Sequence, residues 1–290
     1  MPTPQRRRPS RKFRPTGAVA DILGIFDSGL GGLTVLRAVR ALLPGEDIVY
    51  YADQAHVPYG DRTPDELVQL LAHNVAYLEA RGVDAIVMGC NTSCAIAASR
   101  GWPATRVPIL DLIAAAADDV ANSGARRVGV VGTLATVASG AYGRAIHERN
   151  PAVAVQEIAA PTLVPLVESG LLSGAIARDA VAAACAKFTA PLDALVFGCT
   201  HYPLLDVHFA AVLGDVPRID PARAQARRAA AFARLPRTPA GHIQYVTTGE
   251  LEPYRRAVEA MIEPTSDRAD FATAPALRLE SGDAAALPCR

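Results

Sequence analysis

One phrase is written twice in this chain, roughly a hundred residues apart: DAIVMGCNT at 84–92 and DALVFGCTH at 193–201. Each starts with an acid, runs through apolar residues to Gly, and then presents Cys with a Thr close behind. A short apolar run bounded by Gly fits a strand buried in a parallel sheet. The Cys then falls at the C-terminal end of the strand, where open α/β sheets place their ligand crevices. Two such units, each offering one thiol to one cleft, suit chemistry that needs equivalent groups on opposite faces of a substrate. Moving a proton off one face of a carbon and onto the other is chemistry of that kind.

The surroundings of the two phrases also match. GIFDSG at 24–29 and GVVGTL at 129–134 read as leading strands, each running into a turn and a helix. In the first half, strands are expected at 48–53, 85–90 and 107–112, with a helix from near Gly32 to Pro44 and another after the Thr63 cap. The second half repeats the order from Arg127, with 161–168 read as a Pro-rich loop and 202–214 as one helix. A last segment contains a helix, the strand-like HIQYVTTG at 242–249 and the helix RRAVEAMI. The fold class read from this is α/β: two pseudo-duplicated, doubly wound domains. The expected boundaries are a disordered basic arm at 1–20, a first domain of 21–115 with 221–285, a second of 116–220, and a tail at 286–290.

The chain's 290 residues suffice for two lobes. No apolar run approaches the ~20 residues of a membrane span. The formal charge is zero, but Arg6, Arg7, Arg8, Arg11, Lys12 and Arg14 make the head strongly basic and the body acidic. That arm lacks an apolar stretch, so it reads as a solvated tail and not as a secretory signal. Nucleic acid or an acidic partner is a reading for the arm alone. Five cysteines, an odd number, do not suggest a disulfide framework, and point to reduced thiols in the cytoplasm.

Asp27-Ser28-Gly29-Leu30-Gly31-Gly32 closes the first strand. Its glycines permit close approach of a ligand, and the helix behind offers N–H groups to an anion. The plainer reading is a capped turn. No Gly-Lys-Ser/Thr follows, so it is not a Walker loop. Cys90-Asn91-Thr92 and Cys199-Thr200-His201 supply thiols and neutral donors, and His201 is placed to serve Cys199. Zinc on Cys90, Cys94, Cys199 and His201 is the competing reading, weakened because apolar strands precede both phrases. A cysteine-nucleophile hydrolase leaves the second thiol unexplained. Pro58-Tyr59-Gly60 forms a loop whose Tyr hydroxyl could meet a ligand, and the hydroxyls of Thr133 and Thr136 could hold a carboxylate. On the residues alone, Glu168 reads as a surface acid.

Taken together, FDSGLGGLTV (26–35), PYG (58–60), GCNT (89–92), GTLAT (132–136), PLVESG (165–170) and GCTHYPLL (198–205) resemble the glutamate racemases of the Asp/Glu racemase superfamily. The resemblance spreads over most of 21–250. It implies an active site between the two domains and no cofactor or metal. It implies Cys90 and Cys199 as acid/base thiols, with Asp27 assisting the first and His201, with Glu168, the second. Ser28, Tyr59, Gly60, Asn91, Thr92, Thr133, Thr136 and Thr200 would line the glutamate site, with Asp27 and His201. It further implies D-glutamate supplied for peptidoglycan, no membrane partner, and is compatible with a homodimer. Ser93-Cys94-Ala95 departs from the family's usual small residues, and Ala160 stands where many members carry Cys. Aspartate racemase, a related racemase or decarboxylase, and a binding protein are the rival readings.

Overall fold

The computed structural model describes residues 22–233, 241–262 and 268–279. The basic arm at 1–20 and the tail at 286–290 lie outside the described residues. Among the described residues, ten strands form two sheets whose pairings are parallel. They are β1 (Ile22–Asp27), β2 (Asp47–Ala52), β3 (Ala85–Met88), β4 (Ile109–Leu110), β5 (Arg127–Gly132), β6 (Ala154–Ala159), β7 (Ala194–Gly198), β8 (Arg218–Ile219), β9 (His242–Thr247) and β10 (Arg268–Thr273). The larger sheet has the order β10-β9-β2-β1-β3-β4 and the smaller β6-β5-β7-β8.

The duplication is visible in these orders. β1 is flanked by β2 and β3, and β5 is flanked by β6 and β7. In each sheet the chain starts in the middle, steps to one side and then crosses to the other. That reversal opens a crevice at the carboxyl ends of the central strands. The paired cysteine phrases follow β3 and β7, the third strand of each set. Hydrophobic burial explains why: every residue of β3 and of β7 is buried.

Local chemistry fixes the helices that carry the crevices. Leu33–Leu42 buries Leu33, Val35, Leu36 and Val39 along one face. Pro64–Ala80 begins with a reciprocal cap: Thr63 Oγ1 accepts from the Glu66 N–H at 3.3 Å, and Glu66 Oε2 accepts from the Thr63 N–H at 2.8 Å. Such a cap contributes about 1 kcal/mol. The chain enters the second lobe through the helix Leu112–Ser123, capped by Asp111. It returns through β8 and the helix Pro221–Ala230. Asp118 on the first of these helices pairs with Arg149 of the second lobe and Arg228 of the returning helix. Gln225 Nε2 donates to the Met88 carbonyl at 3.0 Å and the Leu110 carbonyl at 2.6 Å, locking that helix across β3 and β4.

Four sequence expectations change. The segment 161–168 is not all loop: Leu163–Glu168 is a short helix. Pro165 is tolerated because it sits in the first turn, where its missing N–H would have had no partner. The expected single helix at 202–214 is a 3₁₀ turn, Tyr202–Leu205, followed by Asp206–Leu213. The strand expected over 107–112 shrinks to two residues, and β8 and β10 escaped notice. Among the described residues, no helix is long and apolar enough to cross a membrane.

Candidate active site

The first lobe contributes Asp27, Ser28 and Cys90. Asp27 ends β1 and is fully buried. Its Oδ1 accepts from the Gly29 N–H at 3.4 Å. Burial raises its carboxyl to about 7, against the opposing charge of His201. Cys90 caps the helix Asn91–Arg100, and its thiol donates to Ser28 Oγ at 3.6 Å. Burial pushes that thiol up to about 12, and the nearby Asp27 charge adds to the shift. The Asn91 Oδ1 accepts from the Tyr142 hydroxyl, while its amide Nδ2 is buried with no protein partner. Thr92 Oγ1 stands 3.0 Å from Thr133 Oγ1 and 3.4 Å from Thr136 Oγ1, so hydroxyls from both lobes meet.

The second lobe contributes Cys199, Thr200 and His201. Cys199 Sγ lies 3.6 Å from His201 Nδ1, and His201 Nε2 lies 2.6 Å from Glu168 Oε1. The same Glu168 oxygen accepts from the Leu30 N–H of the first lobe at 3.1 Å. Glu168 is therefore no surface acid, because the helix Leu163–Glu168 turns it inward between the lobes. Burial works to lower the His201 pKa, but the Cys199 sulfur and the Glu168 carboxylate overcome it and raise it well above the usual value. Burial likewise works to raise Glu168, but His201 and the Leu30 N–H hold it below the ordinary carboxylate range. Thr200 Oγ1 donates to Asp27 Oδ2 at 3.4 Å, which links the second phrase back to the first lobe.

Both cysteines line one narrow cleft between the lobes. Ser28, Asn91, Thr92, Thr133, Thr200 and His201 share its lining, and 58–60 forms one wall. Asp27, Thr136 and Glu168 stand behind this lining. Tyr59 departs from expectation: its hydroxyl is committed to Asp53 at 2.5 Å and is not free for a ligand. Cys94 lies one turn past Cys90, fully buried, and burial with the Asp111 charge raises its thiol well above the usual range. Arg62, the cation nearest the 58–60 wall in sequence, spends its guanidinium on the His56 carbonyl and Glu66. The lining thus joins neutral donors, two thiols and the His201 ring with apolar surface from Val57, Pro58 and Val164.

Sequence reasoning missed Asp53, His56 and Asn74, which support the wall from behind. The signal was present at Asp53, a lone acid directly after a buried strand at the same sheet end as Asp27.

Comparisons with known proteins agree with this geometry. The family described as Asp/Glu/Hydantoin racemase matches residues 33–229. A glutamate racemase of Gloeobacter violaceus is 44% identical over 220 residues, 72% of this chain and 80% of the relative. The fold superposes on a glutamate racemase isoform of Bacillus anthracis with a TM-score of 0.80 at 29% identity, covering 87% of this chain and 97% of the other. It also superposes on a Francisella tularensis glutamate racemase in complex with D-glutamate, with a TM-score of 0.76 at 29% identity over 86% and 96% of the two chains. With a family match over most of its length and two facing strand–Gly–Cys units at one cleft, the chain belongs to the Asp/Glu/Hydantoin racemase family.

Proposed function

We propose that this protein is a glutamate racemase, and that Cys90 and Cys199 carry the proton in and out at the α-carbon. One observation bears most of the weight. Two cysteines occupy equivalent strand ends of a duplicated fold and line a single cleft, yet have different partners. In one direction a thiolate removes the α-proton from one face, and the opposite thiol delivers its own proton to the other face. The substrate is inverted, and the two sulfurs have exchanged protonation states. The reverse reaction uses them in the opposite roles.

The surroundings supply what each sulfur lacks. His201, held protonated by the Cys199 sulfur and the Glu168 carboxylate, places a cation 3.6 Å from the Cys199 sulfur. Burial and the Asp27 charge favour the protonated thiol of Cys90. Asp27, tuned near neutrality, is the neighbouring group able to take that proton when Cys90 must act as base. The α-carbanion charge has to be met by fixed donors in a dry site, and Asn91 Nδ2, Thr92 and Thr200 are of that type. Recognition of both substrate carboxylates by neutral donors makes length decisive, because a shorter diacid leaves donors unpaired. On this reading the product is D-glutamate, formed in the cytoplasm for peptidoglycan.

The test is incubation with L-glutamate in deuterated water, following optical inversion and α-deuterium together. Wild type should invert glutamate and exchange its α-hydrogen, with aspartate and glutamine much slower. Cys90→Ser and Cys199→Ser should each reduce inversion by at least about a thousandfold. Wild-type inversion in either variant would end the two-thiol reading. Faster turnover of aspartate would move the substrate to aspartate and leave the thiol mechanism standing.

A further inference from the structure

The wall formed by 58–60 rests on a buried polar cluster that has no part in the chemistry above. Asp53 follows β2 and is 1% exposed. Its Oδ2 accepts from the Tyr59 hydroxyl at 2.5 Å and from Asn74 Nδ2 at 3.5 Å. Its Oδ1 accepts from the Thr248 hydroxyl at 2.7 Å and from His56 Nδ1 at 2.8 Å. An ionised carboxylate has about four lone-pair sites, so this one is filled.

Two members are fixed from both sides. His56 Nε2 lies 2.9 Å from the Leu277 carbonyl. The ring thus bridges the Asp53 carboxylate and the Leu277 carbonyl, one nitrogen to each. The Tyr59 hydroxyl donates to Asp53 and accepts from Asn74 Nδ2 at 2.9 Å. Next in the chain, Gly60 packs so closely on Thr133 of the other lobe that a Cβ there would come within 2.7 Å of it. A tilt of Tyr59 would therefore change both the cleft wall and the contact between lobes.

The segment reached through His56 is itself attached. The Ala274 N–H donates to the Thr247 carbonyl at 2.8 Å, and Leu277 and Leu279 pack on the first-lobe core. Apart from Asn74 Oδ1, which has no protein partner, the side chains of this buried cluster bond to one another or to backbone, and such a network specifies geometry. We propose that Asp53 is a positioning residue that sets the 58–60 wall through the Tyr59 hydroxyl, and that His56 extends this hold to the segment 274–279, making that segment a support of substrate binding.

The proposal rests on the cleft being the glutamate site, and its test separates the two. Kinetics with glutamate and backbone hydrogen exchange are measured on the full chain as wild type, Asp53→Asn, Tyr59→Phe, the double variant and His56→Ala. Asp53→Asn and Tyr59→Phe should each raise KM about tenfold, the worth of one charge-assisted hydrogen bond, with kcat changed less than about threefold. The double variant should be no worse than either single one, because both break the same bond. His56→Ala should speed exchange in 274–279 and raise KM similarly. An unchanged KM in Tyr59→Phe, or a double variant equal to the product of the singles, overturns the role of Asp53. Faster exchange in 274–279 without a change in KM overturns the role of that segment. If Asp53→Asn does not fold, Tyr59→Phe decides, since it removes one atom. If wild type does not turn over glutamate, the functional reading falls, and exchange in the 53–62 loop of His56→Ala still decides the coupling: protection there equal to wild type overturns it.

Discussion

Burial raises the Asp27 carboxyl, and that has a consequence for stability. Its folded-state pKa, about 7, lies above the ordinary 3.8. Between those values the native state binds more protons than the unfolded chain, so this group's contribution falls as pH rises through that window. Asp27→Asn should therefore raise Tm at pH 8 relative to wild type, and do so less at pH 5. Calorimetry at both values checks it, and a larger gain at pH 5 would contradict the assignment. Cys90, Cys199 and His201 were legible in the sequence because each sits in a short contiguous phrase next to a buried strand. Glu168 was reached only through the family resemblance, since on the residues alone it reads as a surface acid, and Asp53 was overlooked. What makes Glu168 internal is His201, 33 positions away, and the Leu30 N–H, 138 positions away. No local pattern encodes such partners.

At the level of elements, the turn at 27–32 is glycine-rich because the other lobe sits directly on it. A Cβ at Gly31 would lie 2.5 Å from His201 Nδ1 and 2.7 Å from Thr200 Oγ1. A Cβ at Gly29 would lie 2.5 Å from Glu168 Oε1. The sequence suggested that these glycines let a ligand approach, whereas the structure uses them for the approach of the second lobe. Gly31→Ala should displace His201 and lower kcat by about a hundredfold, as small misplacements of catalytic groups do. Its Tm should stay within a few degrees of wild type, since the strain falls on the contact between lobes and not on either core. Steady-state kinetics with a thermal melt decides it; full activity would show that the lobes can yield. The strands were readable from apolar runs, as were the long helices from caps and periodicity. Leu163–Glu168 was obscured by Pro165, and β8 is too short to carry a pattern.

For the whole molecule, the duplication was legible but the way the lobes are joined was not. Gln225 lies in an Arg- and Ala-rich helix that gives no hint of its two buried carbonyl partners. Gln225→Leu would leave the Met88 and Leu110 carbonyls unpaired and should cost about 2–3 kcal/mol in denaturant unfolding, with KM unchanged. A neutral result would show that the returning helix is held by its apolar face alone. The burial of the two cleft cysteines has a further consequence. Cys90 is 4% exposed and Cys199 5%, inside a cleft closed on one side by 58–60 and on the other by the second lobe. In this arrangement of the lobes little of either cysteine is open to a dissolved amino acid. Substrate entry should therefore involve a parting of the lobes, a movement made against solvent friction. Where that movement is slower than proton transfer, turnover is paced by the medium. Added sucrose should then lower kcat in proportion to viscosity, while a substrate deuterated at the α-carbon should show little isotope effect on kcat.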